Sequence, residues 1–310
     1  MSALVRPPRL APGATIGVAA VSGPVEPARL QAGVAALERR GFRVRLGSNL
    51  GRREGFLAGS DAERAAGYLE LIGDAEVDAV FFARGGYGAS RVLSRLDAEA
   101  IRARPRIHLG GSDLTPLFGF LARRCGLVAF YGPMVAVSIA REEGLDWETV
   151  LAGATPAPHP VAESDVLASG AGEGPLVGGC LSLLASQCGT PEAVDGRGAV
   201  LFWEDVGEDT YRLDRMLTQL ERSGTLDRLQ AMLIGSITPG ARGGESPETV
   251  AAWLHGYFTG APFPVVSGFP AGHLARTRTL PLGLPVRVDT ARGLVEFSGP
   301  AVATEDACRP

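Results

Sequence analysis

The chain has 310 residues and 45% hydrophobic content, which is enough for a large core and for more than one domain. Its 30 basic and 34 acidic side chains give a net charge of -4 without a run of like charge, so the composition predicts neither a nucleic-acid partner nor a membrane partner. No apolar stretch reaches the roughly 18 residues of a membrane-spanning helix, and the N-terminal run is too short for a signal peptide, which favours a cytoplasmic protein.

The four cysteines predict free thiols rather than a metal or redox site. Cys125, Cys180, Cys188 and Cys308 lie far apart, and none of them forms a CxxC pair. Free thiols fit a reducing compartment. We therefore expect no zinc site and no thioredoxin-like motif.

The first half of the chain alternates strand and helix patterns. Strands are predicted over "ATIGVAAVS", "FRVRLG", "VDAVFFA", "RIHLGG" and "LVAFYGP". Helices are predicted over "EPARLQAGVAALERRG", "SDAERAAGYLELIGD", "GASRVLSRLD" and "LTPLFGFLARRCG". This rhythm predicts an α/β domain over residues 1–152 with a doubly wound, flavodoxin-like parallel sheet, whose ligands bind beyond the carboxyl ends of the strands.

Residues 153–174 interrupt this rhythm with proline, alanine and glycine, and we predict a linker or crossover there. The remaining residues, 175–310, contain several strands, two amphipathic helices and a closing hairpin over "LPVRVDTARGLVEFSG". We expect them to form a second domain.

Ser112 follows the predicted strand "RIHLGG" and precedes a helix. Two interpretations fit: Ser112 or Asp113 caps the helix, or Ser112 is a nucleophile held outward by a tight strand-to-helix turn. Gly110 and Gly111 supply the small neighbours that such a turn favours, and the helix N-terminus offers N–H groups to an oxyanion. Leu114 replaces the last glycine of a GxSxG motif, so an ordinary hydrolase elbow is not predicted.

The stretch "ARGGYGAS", residues 83–90, is a second glycine-rich turn between a strand and a helix. Gly86 and Gly88 fit the first two positions of a dinucleotide fingerprint, but Arg91 occupies the third and no Walker lysine follows. The stretch is either a plain turn or a loop whose backbone N–H points at the crevice that holds Ser112.

A nucleophilic serine needs a base, and four histidines are available. His108 lies too far back in the strand that leads to Ser112, His159 lies between two prolines, and His255 lies on a predicted helix. His273 follows a strand in a loop, so it is the histidine at which we expect a site, although a lone loop histidine also fits the surface.

The base in turn needs an orienting carboxylate. The strand in "VLFWEDVGED" ends in Glu204 and Asp205. A carboxylate there is either aimed across a crevice or stabilises the N-terminus of the next helix.

Together and in this order, the segments resemble the LD-carboxypeptidases, also called muramoyltetrapeptide carboxypeptidases. The resemblance covers nearly the whole chain. The matching stretches are "LAPGATIGVAAVSGP", "ARGGYGASRVL", "GGSDLTPL", "YGPM", "GGCLSLLASQCGTP", "WEDVGEDTYRLDRML" and "SGFPAGHLARTRTLPLG". The family's pattern often has tyrosine or phenylalanine immediately before its serine, where this chain has Gly111.

The resemblance implies a Ser-Glu-His triad, with Ser112 as nucleophile, Glu204 as orienting acid and His273 as general base. It implies an oxyanion hole made by the N–H groups of Asp113 and Gly86. It further implies that the serine lies on the N-terminal domain and that Glu and His lie on a smaller, β-rich C-terminal α/β domain. A homodimer without metal or cofactor is also implied.

The implied reaction is release of the terminal D-alanine from a murein tetrapeptide during cell-wall recycling. Arg84, beside the glycine-rich loop, is the candidate for holding the terminal carboxylate. Related microcin immunity peptidases use the same triad on peptidyl-nucleotide antibiotics, and for such a substrate Trp203 is the one candidate aromatic platform. A non-catalytic ligand-binding homologue is the third alternative.

Overall fold

The protein is described by a computed structural model over residues 4–143, 146–240 and 244–303. These residues form two compact units. The first unit contains residues 4–143, 146–154, 275–281 and 300–303. The second unit contains residues 155–240, 244–274 and 282–299.

The strands in chain order are β1 (Thr15–Ala19), β2 (Arg43–Leu46), β3 (Ala79–Phe82), β4 (Ile107–Gly110), β5 (Ala129–Tyr131), β6 (His159–Pro160), β7 (Val166–Ala168), β8 (Ala171–Cys180), β9 (Val200–Glu208), β10 (Ala231–Pro239), β11 (Val265–Val266), β12 (Leu280–Leu282), β13 (Pro285–Asp289) and β14 (Leu294–Phe297). The α-helices are α1 (Pro27–Arg39), α2 (Asp61–Gly73), α3 (Ala89–Val92), α4 (Ala98–Ala103), α5 (Thr115–Phe120), α6 (Trp147–Leu151), α7 (Leu181–Ser186), α8 (Thr210–Arg222) and α9 (Pro247–Phe258).

The first unit contains the predicted parallel sheet. Its strand order is β12-β5-β4-β3-β1-β2, and the pairs from β2 through β5 are all parallel. Every residue of β1, β3 and β4 is buried, so both faces of the central strands are covered. The order β2-β1-β3-β4-β5 is that of flavodoxin-like folds, and the predicted fold class is confirmed.

The second unit contains a mixed sheet in the order β6-β14-β13-β8-β9-β10-β11-β7. Strands β8, β9, β10 and β11 are parallel to their neighbours in this series, whereas β13, β14, β6 and β7 pair antiparallel. An apolar core that includes Leu213 and Leu217 of α8, Leu254 of α9 and Leu201 of β9 covers one face of the parallel strands. This packing fixes β9, the strand that carries Glu204.

Residues 153–174, for which we predicted a linker or crossover, contain the first boundary between the two units and also strand segments. The segment supplies β6, β7 and the first residues of β8 to the second unit. Strands β6 and β7 lie at the two edges of the sheet, where each needs only one hydrogen-bonded partner. An edge position tolerates the proline and glycine content that suggested a linker.

The C-terminal domain is also not the continuous segment 175–310 that we predicted. Residues 275–281 and 300–303 belong to the first unit, where β12 lies beside β5. The chain therefore returns to its first sheet between two segments of the second unit. A local hydrophobic pattern cannot report which sheet a short strand joins, because that depends on residues far away in the chain.

Within the described ranges, no helix combines the length and apolarity needed to cross a membrane. Cys125, Cys180 and Cys188 are free thiols, and Cys308 lies outside those ranges.

Gly178 lets β8 approach β9 closely at the level of the strand that carries Glu204. Its φ is +133°, and a Cβ there would lie 1.7 Å from the Phe202 carbonyl oxygen. Gly198 has a φ of +72° and open space around its Cβ position, so Gly198→Ala adds only backbone strain of about 1–2 kcal/mol. We expect Gly178→Ala to lower the thermal unfolding temperature much more than Gly198→Ala does, as followed by circular dichroism. Equal decreases would show that β8 does not need this close approach.

Candidate active site

Ser112 lies in a strained turn directly after β4. Its φ is +58°, a left-handed conformation that is uncommon for a residue other than glycine. A 3₁₀ turn over Ser112–Leu114 follows, and α5 begins at Thr115. No side-chain cap forms at either helical segment within the described structure, so the hydroxyl of Ser112 does not act as the predicted helix cap. The strained conformation instead presents the serine at the carboxyl edge of the sheet.

The backbone of Ser112 is fixed on both sides. Its N–H donates to the hydroxyl oxygen of Tyr131 at 2.8 Å, and its carbonyl oxygen accepts from the Thr115 hydroxyl at 2.8 Å. Tyr131 is the last residue of β5, the neighbouring strand, and is buried. The ring of Tyr131 lies near Gly111, where a Cβ would approach it to 3.4 Å. Sequence reasoning did not identify Tyr131 as a support of the serine turn.

The glycine-rich loop lies against Ser112. A Cβ at Gly85 would lie 2.9 Å from the Cβ of Ser112 and 3.2 Å from the backbone nitrogen of Asp113, so only glycine fits there. The carbonyl oxygen of Gly85 accepts from the N–H of Gly23 at 3.3 Å. Because the C=O and N–H of a trans peptide point in opposite directions, the Gly86 N–H points away from Gly23. Among the described residues, neither the backbone N–H of Gly86 nor the backbone N–H of Asp113 has a hydrogen-bond partner.

The Asp113 side chain joins the serine turn to the glycine-rich loop. The residue is 1% exposed, and its carboxylate accepts from the Ala89 N–H at 2.9 Å. Ala89 is the first residue of α3, so Asp113 serves the start of a helix other than the one that follows it. Burial raises the pKa of Asp113, and the backbone N–H groups of Gly88 and Ala89 oppose that rise.

Arg64 links the loop after β1 to the glycine-rich loop. It is fully buried on α2, and its guanidinium donates to the carbonyl oxygens of Val21 and of Gly88, the latter at 2.8 Å. It also pairs with Asp61. No motif in the sequence pointed to Arg64. Its place on the buried face of α2, which it shares with Tyr68 four residues further along, was the available signal.

Glu204 and His273 are brought together in the second unit. The Nδ1 atom of His273 lies 2.6 Å from Oε2 of Glu204, and the His273 backbone N–H donates to the same oxygen at 3.2 Å. Glu204 is fully buried, whereas the His273 side chain is 28% exposed. Gly272 has a φ of +114°, and a Cβ there would lie 2.7 Å from Oε2 of Glu204. The pair therefore requires the glycine that precedes His273.

Asp205 has a different role from Glu204. Its carboxylate accepts from the N–H of Ser182 at 2.7 Å and from the N–H of Val206 at 2.8 Å. Ser182 lies in the first turn of α7, so Asp205 stabilises the N-terminus of that helix. Burial raises the pKa of Asp205. Of the two neighbouring acids, only Glu204 contacts the histidine.

The pKa of His273 reflects two opposing effects. Burial favours the neutral ring, but the hydrogen bond and charge of Glu204 raise the pKa above the ordinary value of 6.5. Protonated His273 therefore stabilises the folded state below pH 6.5, and this contribution disappears as the pH rises through the folded-state pKa. With Nδ1 engaged by Glu204, Nε2 is the ring atom left to exchange a proton.

The other histidines and Trp203 have structural surroundings. His108 is fully buried, lies 2.8 Å from the Tyr68 hydroxyl through Nε2, and has its pKa lowered to about 4 by burial. His159 packs its ring against Phe269, and His255 lies on α9. Trp203, the candidate aromatic platform for the alternative substrate, is fully buried and is therefore not available to stack on a ligand.

Arg84 lies at the glycine-rich loop, as expected, and is exposed. Its Nε donates to the Gly85 carbonyl oxygen at 3.1 Å and its Nη1 to the Pro24 carbonyl oxygen at 3.3 Å. Over the described residues, no group of three or more His, Cys, Asp or Glu side chains is arranged to hold a metal ion.

The predicted site residues thus fall into two groups. Ser112, Asp113, Gly86 and Arg84 share the carboxyl edge of the sheet in the first unit, and Glu204 and His273 form a bonded pair in the second. The first group contains a serine with a strained backbone and two N–H donors, those of Gly86 and Asp113, that have no hydrogen-bond partner among the described residues. The second offers a base whose ring orientation is fixed by a buried carboxylate.

Comparison with known families gives a consistent result over most of the chain. The profile of the LD-carboxypeptidase N-terminal domain matches residues 16–132, and that of the LD-carboxypeptidase C-terminal domain matches residues 173–288. A putative carboxypeptidase of Streptomyces coelicolor is 42% identical, over 98% of this chain and 99% of its own. A probable murein peptide carboxypeptidase of Bacillus subtilis is 37% identical, over 92% of each chain.

Solved structures share the fold. A muramoyltetrapeptide carboxypeptidase from Oxalobacter formigenes superposes with a TM-score of 0.80 and 30% identity, covering 91% of this chain and 97% of its own. The microcin C7 self-immunity protein of Escherichia coli is 26% identical over 96% of each chain. A structure of that protein with glutamyl sulfamoyl guanosine superposes with a TM-score of 0.84 at 24% identity, covering 96% of this chain and 100% of its own.

We expect Glu204→Gln to lower the pKa of His273, because burial then acts without the carboxylate that opposes it. The measurement is an NMR titration of the His273 ring. Glu208→Gln, on the same strand but paired with Arg212, is the matched control and leaves the titration unchanged. An unchanged His273 titration in Glu204→Gln would mean that the pair does not form in solution.

Proposed function

Because the chain belongs to the LD-carboxypeptidase family, we propose that it is a serine carboxypeptidase that releases the terminal D-alanine from murein tetrapeptides. The observation that carries the proposal is the 2.6 Å contact between buried Glu204 and partly exposed His273. A carboxylate that holds Nδ1 of an imidazole prepares Nε2 to accept a proton from a nucleophile.

In the proposed mechanism Ser112 is the nucleophile. Its Oγ forms a bond to the carbonyl carbon that precedes D-alanine while His273 accepts the hydroxyl proton. The C–N bond then breaks, and the same proton passes to the departing amine. Water, activated by His273, releases the acyl group from the serine. The proposal requires Ser112 and His273 to share this proton when substrate is bound.

The oxyanion of each tetrahedral intermediate is assigned to the N–H groups of Asp113 and Gly86. Support comes from the absence of another partner for either group in the described chain and from the contact of Gly85 with Ser112. Loss of one such donor typically costs about 2.7–4 kcal/mol in transition-state stabilisation. Asp113 and Arg64 act as positioning residues, since their side chains hold the two turns that carry these donors.

Arg84 is assigned to the terminal carboxylate that distinguishes an exopeptidase substrate. Its guanidinium is exposed beside Gly86 and is held by two backbone carbonyl oxygens, which leave its charge uncompensated. A guanidinium is well suited to bind a carboxylate. The proposed chemistry uses only the side chains and backbone of this chain, without metal or cofactor, and we further propose a cytoplasmic homodimer.

The microcin-immunity-type reaction on an aminoacyl-nucleotide is the alternative. It is supported by the similarity to the microcin C7 self-immunity protein over nearly the whole chain. The buried position of Trp203 removes the aromatic residue that the sequence had offered for a nucleobase. We rank the murein peptide first because the chain is more similar to the probable murein peptide carboxypeptidase, at 37% identity, than to the self-immunity protein, at 26%.

Mass spectrometry of a murein tetrapeptide incubated with the protein and EDTA tests this function. We expect loss of one terminal alanine, and a decrease of kcat/KM by at least about 10³-fold in Ser112→Ala and in His273→Ala. Ser94→Ala, an exposed serine of the same unit, is the control and retains full activity.

Two results would contradict the proposal. Full activity of Ser112→Ala would remove the serine from the mechanism. Cleavage of an aminoacyl-nucleotide analogue without cleavage of the tetrapeptide would favour the alternative substrate.

A further inference from the structure

A cavity of about 550 Å³ opens at the carboxyl edge of the first sheet. Its walls include Gly23 and Pro24 from the loop after β1, and Arg84, Gly86 and Tyr87 from the loop after β3. The chain passes from β1 to β2 on one side and then to β3 on the other, so the strand order reverses between β1 and β3. Open α/β sheets bind their ligands at such a reversal.

The cavity is positively charged. Arg53 and Arg84 both line it, and no carboxylate does. Arg84 bonds only to backbone carbonyl oxygens, and Arg53 is exposed without an ion pair in the described part of the chain. Most other arginines near these loops have acidic partners: Arg91 and Arg64 pair with Asp61, and the charge of Arg52 acts on Glu63. The two cationic groups in the cavity are thus available to an anionic ligand.

Two exposed aromatic rings complete the wall. Phe56 is 63% exposed and Tyr87 is 48% exposed, and their rings meet edge to face with centroids 5.7 Å apart. Large apolar side chains that remain exposed beside a cavity are typical of a binding surface. A ligand that combines carboxylates with an aliphatic chain would satisfy both the arginines and this wall.

The size of the cavity exceeds what the leaving group needs. Gly86, the proposed oxyanion donor, lines it, so the cavity adjoins the reacting carbonyl. A single alanine fills only a small part of a space that falls within the range of pockets for much larger ligands. If Arg84 holds the terminal carboxylate, the proposed reaction assigns no function to Arg53.

We propose that Arg53 is a specificity residue that binds a second carboxylate of the substrate peptide, with Phe56 and Tyr87 packing against the aliphatic atoms between the two charges. This inference rests on the proposed function. A murein peptide carries such a carboxylate on the diamino acid when that residue is diaminopimelate, and another on the acidic residue before it. Either source supplies the same chemistry.

The test compares three synthetic tetrapeptides: one with all carboxylates free, one amidated on the side chain of diaminopimelate, and one amidated on the preceding acidic residue. We expect Arg53→Gln to raise KM for the free peptide and to lower kcat/KM by about 10- to 100-fold, with kcat nearly unchanged. For the peptide that lacks the partner carboxylate, wild type and Arg53→Gln perform alike, which identifies the source. Arg84→Gln loses activity on all three peptides, since each keeps its terminal carboxylate.

Arg52→Gln, one residue away and outside the cavity, is the matched control and behaves as wild type. Equal activity of wild type and Arg53→Gln on the free peptide overturns the inference, as does an equal loss in Arg53→Gln on all three peptides. Calorimetric titration of the free and amidated peptides into Ser112→Ala and into Ser112→Ala with Arg53→Gln separates binding from turnover. Binding that depends on Arg53 in a chain whose wild type cleaves no tetrapeptide would refute the proposed function and leave the cavity assignment standing.

Discussion

A carboxylate removed from water must receive hydrogen bonds or meet a positive charge, and three buried carboxylates organise the site residues of this chain. Asp113 is bound by the N–H at the start of α3, Asp205 by the N–H of Ser182 in α7, and Glu204 by the ring and backbone of His273. The Asp113 contact fastens a turn to a helix, and the Asp205 contact fastens strand β9 to a helix. The third orients a base. The same physical requirement therefore produces both the rigidity and the proton chemistry of the site.

Glycine permits three further close approaches among the elements that carry the site residues, each of which a Cβ would block. Gly85 lies against Ser112, Gly272 against Glu204, and Gly178 against the carbonyl of Phe202. In each case the distance from an ideal Cβ to the neighbouring atom is below 3.0 Å. The glycine-rich turns of this chain thus serve close packing around reactive groups. Nucleotide binding, their other common use, is not needed to explain them.

The distribution of charge at the carboxyl edge of the first sheet separates two kinds of arginine. Arg64 is buried and donates its hydrogen bonds to groups of the protein itself, so it stabilises the loops that contain Val21 and Gly88. Arg53 and Arg84 line the cavity, and neither has an acidic partner among the described residues. Both positive charges are therefore available to an anionic ligand. An anionic ligand fits this arrangement better than a neutral or cationic one, because two arginines and no carboxylate line the cavity.

The sequence alone determined the alternation of strands and helices in the first unit and singled out Ser112, Glu204 and His273 as candidate site residues. The strand and helix periods are local, and they locate the strands after which Ser112 and His273 follow and the strand β9 in which Glu204 lies. The tertiary structure decided what depends on distant residues. It placed the proline-rich segment 153–174 in edge strands, returned β12 to the first sheet, and separated the role of Glu204 from that of Asp205. It also revealed Tyr131, Arg64 and Arg53, because a hydrogen bond or a missing ion partner is set by what the folded chain brings near a side chain.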